Sequence, residues 1–145
     1  MFNTILVPLD GSELSESVLP KMVELTKCLP EAKFVLLEVI SPIGSNAMSA
    51  LAAPAAGEIQ GVSEDEAVEY LRAISTKYLP KSNVQILVDE GEAATIILDK
   101  AKDVQADLIA MASHGRSGLA RLTLGSVTAR VISHAEVPVL VVKGH

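Results

Sequence analysis

Five short apolar runs punctuate the chain, and the segments between them carry helical periodicity. Thr4 to Leu9 and Phe34 to Ile40 are rich in Ile, Val and Leu. Val84, Ile86 and Val88 mark a third, and Leu108 to Ala112 and Val137 to Val142 complete the set. Runs this short, without polar alternation in most of them, predict strands buried on both faces. Leu14, Val18, Met22 and Leu25 recur at helical spacing and predict one helix face, closed by Pro30. Ser12 is the expected N-cap of that helix, with Glu13 and Glu16 in the first turn, where the helix dipole favours acids. Ser63 and Glu66 have capping-box spacing, and Ala67, Leu71, Ile74 and Tyr78 continue one face to Pro80. Asp89-Glu90-Gly91 closes the third strand. Ala93 to Asp103 predicts a third helix carrying Ile97 and Ala101, and Val127 to about His134 a fourth.

The predicted order is therefore β-α-β-α-β-α-β-α-β. Strands separated by helices are most simply parallel, with right-handed crossovers and helices on both faces. Such sheets bind ligands beyond the carboxyl ends of their strands, where the strand order reverses. Two carboxyl ends are equipped for this: Pro8-Leu9-Asp10 after strand one, and the glycine-bearing stretch after strand four. In a flavodoxin-like order, strands one and four are neighbours and the site lies between them. The connection from Ser41 to Val62, with Pro42, Gly44, Pro54, Gly57 and Gly61, is long for a compact domain, which predicts a mobile or functional loop.

At 145 residues the chain is one domain, residues 1–145, with nearly half its residues apolar. A formal charge of −6 argues against a dedicated nucleic-acid binder, because phosphate backbones are held by clustered Lys and Arg. No segment has the length of a membrane span, and the N-terminus lacks the basic region and apolar length of a signal peptide, so a cytoplasmic location is expected. Cys28, the lone cysteine, cannot form an internal disulfide and is expected to be a buried structural thiol.

The sign of the charge reverses after strand four. From Leu108 to Ala135 there is no Asp or Glu, yet three of the four arginines are here: Arg116, Arg121 and Arg130. Gly115, Gly118 and Gly125 lie between strand and helix, and Gly125-Ser126 opens the helix. A glycine-rich strand-to-helix loop with cationic flanks suits a phosphate, held by backbone N–H groups at the helix N-terminus. The alternative is a tight connection with Ser126 as a plain N-cap. Neither G-x-x-x-x-G-K-[ST] nor G-x-G-x-x-G after the first strand is present. Arg116 and Arg121 are phosphate clamps or solvated charges. Asp10 is either a ligand for adenine, ribose or a metal-bound water, or a turn-forming Asp before Gly11. Ser113 and His114, being adjacent, are not expected to face one another as nucleophile and base. No spacing suggests zinc, and no catalytic triad is expected.

The motif resembles that of the universal stress protein family: Gly-x-x-Gly, nine residues, then Gly followed by Ser or Thr. In this chain it reads Ala112-Ser113-His114-Gly115, Arg116 to Leu124, then Gly125-Ser126. The opening Ile5-Leu6-Val7-Pro8-Leu9-Asp10-Gly11-Ser12 and the closing Pro138-Val139-Leu140-Val141-Val142 are similar to that family as well. The resemblance implies a flavodoxin-like sheet of order 3-2-1-4-5, often a homodimer, and in one branch ATP in the crevice. Carried over by motif, Pro8, Leu9, Asp10 and Val39 would line the adenine and ribose end. Met111, Ala112 and Gly115 would pass beneath the ribose and phosphates. Gly125, Ser126 and Val127 would hold the phosphates, accompanied by Mg²⁺, with Asp10 reaching the ion through water. Ala112 departs from the motif, standing where the first glycine is expected.

Val137 to Val142 also predicts an apolar edge with Pro138 as its one brake, which pairing with a second copy would bury; the alternative is a strand covered by its own helices. The expected function is a small ATP-binding stress-response or signalling module. The competing expectations are a nucleotide-free dimer of the same fold and, more weakly, a slow ATP hydrolase or autokinase.

Overall fold

The computed structural model describes residues 1–41, 61–114 and 124–144. Their elements are β1 (Thr4–Leu9), α1 (Glu13–Glu16), α2 (Leu19–Cys28), β2 (Lys33–Ile40), α3 (Glu64–Tyr78), β3 (Asn83–Glu90), α4 (Ala93–Asp103), β4 (Leu108–Ala112), α5 (Ser126–His134) and β5 (Val139–Val142). All pairings are parallel, and the sheet order is β3-β2-β1-β4-β5. The order reverses between β1 and β4, where Ile5 pairs with Leu108 and Leu6 with Ile109.

The period-two geometry of the strands divides the core. Ile5, Val7 and Leu9 of β1 with Phe34 and Leu36 of β2 face α2 and α3, meeting Val18, Leu19, Met22, Leu71 and Ile74. Leu6, Val35, Leu37, Ile109 and Met111 face the other way, onto Ala94, Ile97 and Ala101 of α4 and Val131 of α5. Because β1, β2 and β4 are covered on both sides, their sequences are nearly unbroken apolar runs.

Local chemistry sets most of the element ends as expected. Ser12 caps α1 by accepting the Ser15 N–H, and Ser63 with Glu66 forms a reciprocal capping box on α3. Four expectations change. The helix expected after Ser12 is two helices, because Pro20 has no N–H to give the Glu16 carbonyl and sits in the first turn of α2. Val18 and Met22 are buried, but Leu14 lies on α1 and is exposed. Strand β3 runs on through Asp89 and Glu90, paired with Val39 and Ile40; the turn falls at Gly91, whose φ of 151° disfavours any residue with a Cβ. Strand β5 begins at Val139 rather than Val137, since Pro138 cannot donate to a ladder, although its carbonyl accepts the Ile109 N–H at 3.0 Å. Cys28, at the last turn of α2, is exposed rather than buried: it falls on the solvent side of the helix, away from Leu19 and Met22.

The long connection expected over 41–62 falls largely outside the described residues. Among the described residues no helix is long and apolar enough to cross a membrane.

Candidate nucleotide cleft

The carboxyl ends of β1, β2 and β4 open on the α4–α5 side into a cleft of roughly 820 Å³, open solvent at its mouth included. The topological reversal places this space: the helices that follow β1 and the helix that follows β4 lie on opposite faces of the sheet. Pro8, Leu9 and Asp10 end β1 at its rim, and Val39 approaches from β2. Met111 and Ala112 end β4 on its floor, and Gly125, Ser126 and Val127 begin α5 at the far side. The structure therefore brings together nine of the residues singled out from the sequence. Gly115 and Arg116, as well as Arg121, lie outside the described residues.

The apolar part of the lining is supplied by Leu37, Val39, Ile97, Met111 and Val127. The polar part is of two kinds. Asp10 Oδ1 accepts from both the N–H and the hydroxyl of Ser12, while its own N–H donates to Ser15 Oγ at 3.2 Å. Asp10 thus builds the turn into α1 and also lines the cleft. Across the cleft, the N-cap of α5 is Gly125, not Ser126; it offers no side-chain acceptor, and no acid stands in the first turn. The N–H groups that begin α5 are therefore left without the usual cap, at the positive end of the helix dipole.

Two contacts hold the strand exit against this helix. Gly125 N–H donates to the Ser113 carbonyl at 2.8 Å, and Thr128 Oγ1, buried, donates to the Ala112 carbonyl at 3.0 Å. Ser113 N–H in turn donates to Val142 of β5 at 2.8 Å. Sequence reading missed Thr128, together with Ser15, Leu37, Ala93, Ile97 and His114, all of which line the cleft. The Leu37-to-Val39 alternation and the placement of Ile97 one turn into α4 were the available signals; nothing local marked Thr128. Ser113 and His114 also depart from expectation. The chain bends after β4, so that Ser113 Oγ and His114 Nδ1 come within 3.0 Å despite being adjacent.

Behind α4, Glu92 caps the helix by accepting the N–H groups of Ala94 and Thr95, and pairs with Arg130 of α5 at 3.2 Å. The Thr95 hydroxyl and N–H, then the Ala94 N–H and Arg130, hold its carboxyl below the usual value. On the opposite face of the sheet Tyr70 donates to Glu16 at 2.9 Å. Burial, then the Glu16 hydrogen bond and charge, with Glu38 and Asp10 nearby, hold its phenol far above the usual range.

The universal stress protein family model matches residues 1–143. The chain belongs to the universal stress protein family. It is 31% identical to the universal stress protein MJ0531 of Methanocaldococcus jannaschii over 150 residues, covering 99% of this chain and 83% of that protein. With the universal stress protein MJ0577 of the same organism it shares 33% identity, covering 99% of this chain and 96% of that one. The solved structure of MJ0577 superposes with a TM-score of 0.78 at 30% identity over 100% of this chain and 98% of that chain. Two more distant members share the fold: a universal stress protein in complex with cAMP (TM-score 0.67, 22% identity, 98% and 97% coverage) and an Arabidopsis thaliana member with AMP bound (0.65, 17%, 99% and 92%).

Proposed function

We propose that the cleft binds an adenine nucleotide, with ATP and Mg²⁺ as the physiological pair, and that occupancy changes the chain's conformation or its partners. The observation that carries this reading is the uncapped, acid-free first turn of α5 at one end of a cleft whose other walls are apolar. Such a site offers a flat apolar slot to a base and backbone N–H groups to phosphates. Two fold relatives hold cAMP and AMP, which supports an adenine ligand class. Pro8, Leu9, Asp10 and Val39 would flank the base and ribose, and Gly125, Ser126 and Val127 the phosphates. Ala112, in place of the motif glycine, would add one methyl group to the floor.

Among the described residues no three His, Cys, Asp or Glu side chains converge to hold a metal ion. A divalent ion would enter on the phosphates, with Asp10 reaching it through water. Any hydrolysis or autophosphorylation would be slow: Asp10 is committed to Ser12, and His114, the other titratable side chain lining the cleft among the described residues, is bonded to Ser113.

The alternative is a nucleotide-free dimer. Strand β5 is a sheet edge with Leu140 exposed, which favours pairing through Val137 to Val142 in either reading. Calorimetric titration of the nucleotide-stripped protein with ATP and Mg²⁺ separates the two. One saturable site per chain is expected. Absence of heat and of thermal stabilisation at millimolar ATP would leave the nucleotide-free dimer.

A further inference from the structure

Helix α1 is one turn long and buries no apolar side chain: Ser15 is its buried residue, and Leu14 is exposed. Breaks bound it on both sides, Gly11 with a φ of 80° before it and Pro20 in the first turn of α2 after it. An element with so little apolar burial belongs to the low-stability end of a fold, and its place depends on its hydrogen bonds.

Those bonds run to two places. At the start of α1, Ser12 donates to Asp10 Oδ1, while Ser15 Oγ accepts the Asp10 N–H at 3.2 Å and donates to the Ser12 carbonyl at 2.9 Å. Asp10 and Ser15 both line the cleft. At the end of α1, Glu16 Oε1 accepts the hydroxyl of Tyr70, on α3, at 2.9 Å. Ser15 and Glu16 are neighbours, so a single helical turn carries both a cleft-lining side chain and the tie to α3. Burial, then the Glu16 bond and charge, then Glu38 and Asp10, hold the Tyr70 phenol far above its usual range, which keeps it a donor to Glu16 around neutral pH. Asp10 therefore belongs both to the cleft wall and to the surroundings of Tyr70.

We propose that the Tyr70–Glu16 bond is a latch that holds α1 where the cleft accepts its ligand, so that cleft occupancy and the attachment of α1 to α3 favour one another. Helix α1, latched or released, is the element that both sites bias. The coupling is reciprocal: the latch raises affinity, and the ligand tightens the latch. This rests on the nucleotide reading of the cleft and adds to it a route to the opposite face of the sheet.

Amide exchange in the ligand-free full-length chain is measured first. Tyr70→Phe is expected to speed exchange at Ser15 and Glu16 while β1 and β2 keep their wild-type protection; unchanged exchange in α1 overturns the latch. ATP and Mg²⁺ are then titrated into wild type, Tyr70→Phe, Glu16→Ala, Glu16→Gln and the double variant Tyr70→Phe/Glu16→Ala. Tyr70→Phe and Glu16→Ala are each expected to weaken ATP binding about fivefold, and the double variant no more than either. Gln removes the same charge as Ala but still accepts a hydrogen bond, so it is expected to stay near the wild-type affinity. In wild type, ATP is expected to slow exchange around Tyr70 in α3, and in Glu16→Ala to leave it unchanged. Losses that add in the double variant, Gln behaving like Ala, or an α3 indifferent to ATP in wild type overturn the coupling. A wild type that binds no ATP defeats the nucleotide reading and the coupling with it; a failure confined to the variants defeats the coupling alone.

Discussion

Gly125 donates its N–H to the carbonyl of Ser113 at 2.8 Å, and a Cβ added to Gly125 would stand 3.0 Å from that same oxygen. The start of α5 and the exit of β4 are therefore in backbone contact, and the glycine is required by that approach whatever the cleft holds. Gly125→Ala must push apart two backbones that are each held elsewhere, Ser113 by Val142 and α5 by the Thr128 bond to Ala112. The expected cost is about 1–3 kcal/mol in chemical denaturation. A fully stable Gly125→Ala protein would show that the two elements can separate freely. Because stability and binding are both at stake, this substitution alone does not test the ligand.

Ala93 supplies that test. It opens α4, is half-buried and lines the cleft without contributing to the Glu92 cap through its side chain. Ala93→Phe is expected to fill the slot and abolish ATP binding in calorimetry, while the melting temperature of the ligand-free protein stays at the wild-type value. Retained binding at wild-type affinity would place the ligand elsewhere.

Thr128 joins the two halves of the site from beneath. Its hydroxyl is buried and reaches the Ala112 carbonyl, so Thr128→Val keeps the shape and removes the donor. A loss of about 1–3 kcal/mol is expected, with most of it restored by Thr128→Ser. If Val and Ser behave alike, the side chain matters by packing and the hydrogen bond contributes little.

The sequence showed the frame well and the site by halves. Strands buried on both faces leave runs such as Thr4–Leu9 and Leu108–Ala112, and capping chemistry such as Ser63 with Glu66 is local, so both are legible along the chain. The break between α1 and α2 was signalled by Pro20, but its neighbours kept helical spacing across the break and masked it. Thr128 and His114 were illegible for another reason. Their partners are a backbone carbonyl 16 residues away and a bend that turns adjacent side chains together, and neither leaves a pattern in residue type.

Acid is expected to loosen the α4–α5 side of the cleft. The Thr95 hydroxyl and N–H, the Ala94 N–H and Arg130 hold the folded-state Glu92 carboxyl below its ordinary 4.5. A depressed folded value means that Glu92 stabilises the fold fully above about pH 4.5 and loses this as pH falls through the lowered value. Glu92→Gln is expected to lower stability near neutrality and to flatten the pH dependence of unfolding in that window. An unchanged acid limb would assign the dependence to other carboxylates, such as Asp107, which the Thr4 and Asn3 N–H groups likewise hold low.

Cys28 closes the account of the helix on which it sits. Helix α2 buries Leu19 and Met22, and nine residues on from Leu19 the rotation of the helix carries Cys28 to the solvent side. Its thiol is the chain's one cysteine, so a chromogenic disulfide reagent reads it without ambiguity. Native protein is expected to react to one equivalent per chain without denaturant, with no change in circular dichroism. A thiol that reacts only after denaturant is added would mean that Cys28 is covered in solution. An α2 end that is solvent-facing in one chain would then have to be buried against a second copy, and the reaction should become concentration-dependent.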